Sequence, residues 1–292
     1  MSLTLSSRDA FGDVLTRARD VALCAYTLAP TGAVARALEA AADRGAHVAV
    51  RLESRPTFGR DAPAGDASGI ARALAAHGVV VTTSAPGGSL EHLKAAVVDG
   101  VAYLDDRNWA TRGHETILRD DDPADVAAVA RAIADGPNAV PCAGSDASTR
   151  LALEKRAAFA LEVDAIRMAP GDRIDVASES FGGSALSGAL AERARAGDHV
   201  RLEVAARALA TDPTGREHAV LAHLAAAGVE IRAVGSDEKF ADLGDRVWVG
   251  SANATFTAGV MSDWGATTTN RAIEAELAAT FASAWDAGRP VL

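Results

Sequence analysis

The chain repeats itself once, at a domain-sized spacing. Leu38 and Leu190 lie 152 residues apart, as do His47 and His199; Gly78 and Gly228 lie 150 apart; Lys94 and Lys239, and Asn108 and Asn253, lie 145 apart. A slowly drifting offset is what a duplicated module with small loop deletions produces, and a period this long excludes a solenoid. Each copy alternates apolar strand-like runs with helical runs that stop at glycine. In the first, 21–28 reads as a strand, 33–44 as a helix ended by Gly45, 47–53 as a strand, and 70–77 as a helix ended by Gly78. In the second, 173–181 is a strand, 185–196 a helix, 199–204 a strand, and 217–227 a helix ended by Gly228. This order predicts an α/β layered fold. The run G-P-N-A-V-P-C-A-G-S-D-A-S places a linker at 136–148, with modules expected at 1–135 and 149–292. Ser148 or Thr149 is expected to cap a helix from Arg150 to about Val163.

Within the first copy, residues 91–109 read E-H-L-K-A-A-V-V-D-G-V-A-Y-L-D-D-R-N-W. The pattern is H-x-K-x4-D, on His92, Lys94 and Asp99, followed by Asn108. Asp99-Gly100 is a turn dipeptide between two apolar runs, so a hairpin is expected there. Residues two apart on a strand share a face, which would put His92 and Lys94 side by side. An imidazole and an ammonium so placed can attack a phosphate and neutralise its charge. The second copy reads S-D-E-K-F-A-D-L-G-D-R-V-W-V-G-S-A-N-A-T.

These motifs resemble the phospholipase D superfamily, whose pattern is H-x-K-x4-D followed by G-S-x-N, and the resemblance runs over nearly the whole chain. It implies two pseudo-symmetric modules, each a mixed β-sheet flanked by helices, meeting at one site. The two copies are degenerate in opposite ways. The first keeps His92, Lys94 and Asp99 but has Asp105 and Asp106 where the family has Gly-Ser. The second keeps Lys239, Gly250, Ser251 and Asn253 but has Asp237 for the His and Gly244 for the Asp. Of 29 basic residues only three are lysines, Lys94, Lys155 and Lys239, and two of those are motif-equivalent. Of four asparagines, Asn108, Asn138, Asn253 and Asn270, two are likewise equivalent. A chain this rich in arginine would use arginine if surface charge were all that was needed. Lysine is a compact point charge suited to one phosphate oxygen.

The resemblance assigns roles by position. His92 is the nucleophile, forming a phosphohistidine. Lys94, Lys239, Asn108 and Asn253 neutralise the phosphate and its transition state, with Ser251 in the substrate-binding set. Glu115 is the carboxylate expected to orient the His92 ring, with Asp263 its approximate counterpart in the second half. Asp237 takes the place of the second His, which serves the leaving group; an aspartate is ordinarily ionised at neutral pH, so slow turnover is expected. No metal or other cofactor is required. Asp105 and Asp106 sit awkwardly beside a phosphate, and strand alternation allows at most one to face it. Asp99 reads as a turn residue, Trp109 and Trp248 as core, and His218 and His223 as helix-surface residues. The acidic run from Asp120 to Asp125 reads as a helix start.

Composition narrows the partners. Formal charge is −10, with no Lys/Arg run, which argues against a nucleic-acid footprint and ranks a nuclease of the same fold below a phosphodiesterase or phosphatidyltransferase-type hydrolase. The expected partner is a phosphodiester small molecule or phospholipid headgroup. A binding protein that no longer turns its ligand over is the second reading. The N-terminus lacks a basic head and an apolar segment, and no run approaches bilayer length, so a cytoplasmic location is expected. Cys24 and Cys142 make no disulfide framework. The loops at 54–69 and 206–217 are expected to line the entrance, and a monomer suffices for one site.

Overall fold

The computed structural model describes residues 3–54, 56–58, 62–63, 67–84, 90–109, 116–136, 143–145, 149–212, 214–255 and 262–291. It divides into two compact units. The first comprises 1–145, 151–155 and 259–264; the second comprises 146–150, 156–258 and 265–292.

The first unit opens with β1 (Thr4–Ser6), α1 (Arg8–Arg17), β2 (Asp20–Ala25), α2 (Ala33–Asp43) and β3 (His47–Leu52). A small ribbon follows, β4 (Thr57–Phe58) with β5 (Ala62–Pro63), then α3 (Ala67–Ala76) and β6 (Val80–Thr83). It continues through β7 (Ala95–Val98), β8 (Val101–Asp105), β9 (Ile117–Asp120), α4 (Pro123–Asp135) and β10 (Ala143–Ser145). The main sheet has the order β1-β9-β8-β7-β2-β3-β6. Strands β2, β3 and β6 run parallel, while β7, β8, β9 and β1 add on antiparallel.

Side-chain alternation builds both faces. Val21, Leu23, Ala25, Val48, Val50 and Leu52 join Phe11 and Leu15 of α1, Leu38 of α2 and Leu74 of α3 in one core. Arg51 points the other way and donates to Ala134 O at the end of α4, 3.0 Å away, where a cation meets the negative end of a helix. Asp122 caps α4 by accepting from Ala124 N and Asp125 N, as a helix-start acid should. Asp99 holds the β7–β8 turn. Its φ is +48°, and its carboxylate accepts from Arg19 N and Asp20 N at 2.9–3.3 Å. Gly244, at the equivalent position of the second copy, has φ +80°, so both copies use a left-handed residue there.

After β11 (Thr149–Ala152), which the division of units cuts at Arg150, the second unit carries α5 (Lys155–Met168), β12 (Arg173–Ser178), α6 (Ala185–Ala196), β13 (His199–Ala205), α7 (Ala206–Ala210), α8 (Arg216–Ala226) and β14 (Glu230–Val234). Its remaining elements are β15 (Phe240–Asp242), β16 (Val247–Gly250), β17 (Gly265–Thr268), α9 (Arg271–Ala287) and β18 (Arg289–Pro290). Its sheet contains the run β17-β16-β15-β12-β13-β14-β18 and continues past β17 through β11 and β10. Here β12, β13 and β14 are parallel and β15, β16 and β17 antiparallel, the same plan as β2, β3, β6, β7, β8 and β9. The duplication is therefore one of topology as well as sequence.

The helix expected from Arg150 is a correction: Thr149 begins a short strand and the helix starts at Lys155. The segment T-R-L-A forms strand β11, with Leu151 and Ala152 buried. Helix α6 ends where it was expected, set by a Ser184–Ser187 capping box and a left-handed Gly197. Asn270 caps α9 through Ala272 N, which gives it a structural role. No described helix is long and apolar enough to cross a membrane.

Candidate active site

In the first unit the site is built on the segment just ahead of β7. His92 and Lys94 are not strand residues, as expected from sequence; they precede β7 in irregular backbone that Ser262 and Glu53 hold in place. The Ser262 hydroxyl accepts from His92 N at 3.1 Å and Leu93 N at 3.3 Å and donates to the Glu91 carboxylate. Glu53 Oε2 accepts from Glu91 N at 2.8 Å. Glu91 is fully buried and receives Arg51 Nε at 2.9 Å. Burial pushes its carboxyl up, against the lowering by Ser262 and Arg51.

His92 Nδ1 lies 2.7 Å from Oδ1 of Asp263, whose side chain is wholly buried. A carboxylate there accepts the Nδ1 proton, so the lone pair is on Nε2. Lys94 Nζ donates to His92 O at 2.8 Å and sits 2.8 Å from Nδ1 and 2.9 Å from Nε2. Tyr26 packs edge-on against the imidazole, centroids 4.9 Å apart, and Lys94 Nζ is 5.7 Å from the Tyr26 centroid. The result is an imidazole held between a buried carboxylate and a buried cation.

Asp105 and Asp106 do not carry the conflict their position suggested. Asp105 Oδ2 accepts from Trp109 N at 2.6 Å and Asp106 Oδ1 from Thr116 N at 3.2 Å. They staple the loop that carries Asn108. That loop needs holding, because Trp109 has φ +51°, costly for a bulky residue. Its indole donates to Cys24 O at 3.0 Å and stacks on Phe11 at 4.8 Å. Trp264 Nε1 donates to Asp105 O at 2.7 Å.

In the second unit the motif cation is differently partnered. Lys239 Nζ lies 3.1 Å from Glu179 Oε2 and Arg207 Nη2 lies 2.6 Å from Glu179 Oε1. Arg207 also pairs with the Asp237 carboxylate. An ion cluster thus occupies the position where the resemblance puts a histidine. Lys239 has a carboxylate, that of Glu179, against it. Glu179 follows β12 as Tyr26 follows β2, so equivalent positions give one lysine an aromatic face and the other a carboxylate. Ser251 is fully buried. The side-chain oxygens of Asn108 and of Asn253 are both buried without a hydrogen-bond partner among the described residues. A buried acceptor left open at the same place in both copies is suited to a donor on a ligand.

Glu115 lies outside the described residues, as do Cys142 and much of 54–69. The carboxylate on His92 is Asp263, which the repeat had matched to the second half. Arg207, Glu179, Tyr26 and Ser262 carry no motif; only their places in the aligned copies, or within a suspected entrance segment, could have drawn notice.

No protein-family model and no curated protein matches the chain. Solved structures do. Phosphatidylserine synthase of Haemophilus influenzae superposes over 99% of this chain and 87% of its own, with TM-score 0.71 and 9% identity. Polyphosphate kinase from Porphyromonas gingivalis superposes over 94% of this chain, with TM-score 0.63 and 16% identity, and this chain spans 45% of its length. Nuc from Salmonella typhimurium, a phospholipase D family member, matches 49% of this chain with TM-score 0.44 and 19% identity. The chain has the phospholipase D fold, in two copies.

Proposed function

We propose that the chain is a phospholipase D-like phosphodiesterase acting through a phosphohistidine at His92. The observation that carries this is the His92–Asp263–Lys94 arrangement of the first unit: Nδ1 held at 2.7 Å by a buried carboxylate, and an ammonium over the ring, 2.8 Å from Nδ1 and 2.9 Å from Nε2. Nε2 attacks phosphorus while Lys94 moves its charge onto a phosphate oxygen. The P–O ester bond breaks, the leaving oxygen takes a proton, and Asp263 stabilises the positive ring. Water then cleaves the P–N bond and frees His92; an alcohol in its place would give transfer. The sequence equivalence of Lys94 with Lys239 and Asn108 with Asn253 supports both pairs serving phosphate, with Ser251 beside Asn253, Asp237 in the leaving-group role and Glu115 an orienting carboxylate.

A second reading, a phosphate-binding protein without turnover, is favoured by the ion pairs that engage Asp237 and Lys239. An aryl phosphodiester separates the two, since its leaving group needs no proton. Wild type is expected to show a burst or an acid-labile phosphohistidine, and His92→Ala neither; Asp237→His should speed an unactivated diester by about 10²-fold or more. A wild type that binds tungstate, with binding lost in Lys94→Ala and Lys239→Ala, yet never becomes phosphorylated, is the binding protein.

A further inference from the structure

In the second unit one carboxylate bridges two cations. Glu179 Oε2 lies 3.1 Å from Lys239 Nζ, and Glu179 Oε1 lies 2.6 Å from Arg207 Nη2. The three side chains are stacked from floor to surface: Lys239 is 3% exposed, Glu179 27% and Arg207 65%. Buried Asp237 holds Arg207 by a second ion pair, so the guanidinium keeps a partner when Glu179 leaves. The backbone just beyond Glu179 is fixed. Phe181 N donates to Glu217 Oε1 at 2.7 Å, and Gly182 N donates to Ala254 O at 2.9 Å, beside Asn253. Glu179 can therefore leave the two cations by rotating its side chain, with no change in the loop that carries Asn253.

We propose, resting on the phosphate role given to Lys239 above, that the second unit holds a two-cation anion site, Lys239 with Arg207, and that Glu179 is its internal stand-in for phosphate. A carboxylate that sets one oxygen on each of two cations makes the contacts that two oxygens of one phosphate would make. An ammonium as buried as that of Lys239 needs a counter-charge, and Glu179 supplies it from the ligand's own position. The device belongs to the second copy, because the first has Tyr26 at the position of Glu179. Phosphate enters by exchange: the Glu179 carboxylate turns to solvent, and Arg207 becomes a phosphate-binding cation that no motif marks. The exchange weakens phosphate binding, since two ion pairs break before the ligand makes its own.

The test is calorimetry of the whole chain with inorganic phosphate, joined to a crystal structure of the wild type with tungstate. Glu179→Gln and Glu179→Ala are each expected to bind phosphate about tenfold more tightly than wild type, the order of one hydrogen bond to a charged group. Adding Arg207→Gln or Lys239→Ala to Glu179→Gln should abolish that increase. Thermal unfolding checks that the variants fold. Tungstate is expected between Lys239 and Arg207 with Glu179 turned away, a result that depends on no variant. Phosphate affinity unchanged or weakened in the folded Glu179 variants, an increase that survives Arg207→Gln, or tungstate bound elsewhere while Glu179 still bridges the cations, each overturns the proposal. The phosphodiesterase reading is scored separately, by phosphorylation of His92 from an aryl phosphodiester. A chain that is never phosphorylated but tightens on loss of Glu179 and of its charge keeps the anion site and loses the turnover.

Discussion

At the scale of single residues, His92 is defined by what touches it. Replacing Asp263 by Asn keeps the shape but removes the charge that fixes the Nδ1 proton and stabilises the ring once it is positive. Aryl-phosphodiester turnover is expected to fall about 10²-fold or more, with inorganic phosphate affinity little changed. Loss of phosphate affinity without loss of rate would mean that Asp263 only shapes the segment. A different residue governs pH response. Glu162, on α5, is 2% exposed, and one of its oxygens has no hydrogen-bond partner among the described residues. Burial pushes its carboxyl up to about 8. Between an unfolded value near 4.5 and that value the folded chain keeps the proton and the unfolded chain does not, so stability falls as pH rises through this window. Glu203, pushed up to about 8 by burial with Glu238 and Asp175 nearby, contributes in the same direction. Glu162→Gln should gain about 1 kcal/mol or more at pH 8.5 and much less at pH 5, measured by urea unfolding. An equal effect at both pH values would contradict a buried, protonated acid.

At the scale of elements, the loop after β8 is the part most dependent on side chains. Its sequence replaces the expected Gly-Ser with two aspartates, and the structure spends both on backbone amides. A left-handed Trp109 persists because Asp105, Cys24 and Phe11 hold its amide, indole nitrogen and ring. Asp105→Ala removes the acceptor for a buried amide and should cost roughly 1–3 kcal/mol in urea unfolding. Because Asn108 rides on the same loop, phosphate affinity should weaken alongside. Stability lost with affinity intact would separate Asn108 from the site.

At the scale of the whole molecule, the two units are not two contiguous halves of the chain. Ser262, Asp263 and Trp264 belong to the first compact unit, where they bond His92 N, His92 Nδ1 and Asp105 O. A fragment ending at residue 148 keeps His92, Lys94 and Asn108 but lacks all three partners. It is expected to be markedly less stable than the full chain and to form no phosphohistidine. A fragment that is phosphorylated at the full-chain rate would show that Asp263 is dispensable.

The sequence by itself determined the duplication, the strand and helix order of each copy, the Asp99-Gly100 turn and the pairing of His92 with Lys94. These follow from local periodicity, turn chemistry and residue rarity, all of which act over a few positions. It did not determine that His92 and Lys94 stand ahead of the strand, or that Thr149 starts a strand: both depend on which neighbours bury them. Nor could it say that Asp105 and Asp106 turn onto backbone amides, or that Glu179 meets Lys239. The partner of His92 is the sharpest case. Asp263 is 171 residues away along the chain, and the sequence singled it out only as the second-half counterpart of Glu115, not as the partner of His92. Only tertiary packing decides which carboxylate loses its water against an imidazole, and it is that burial, with the bond at 2.7 Å, that sets the tautomer on which the proposed chemistry rests.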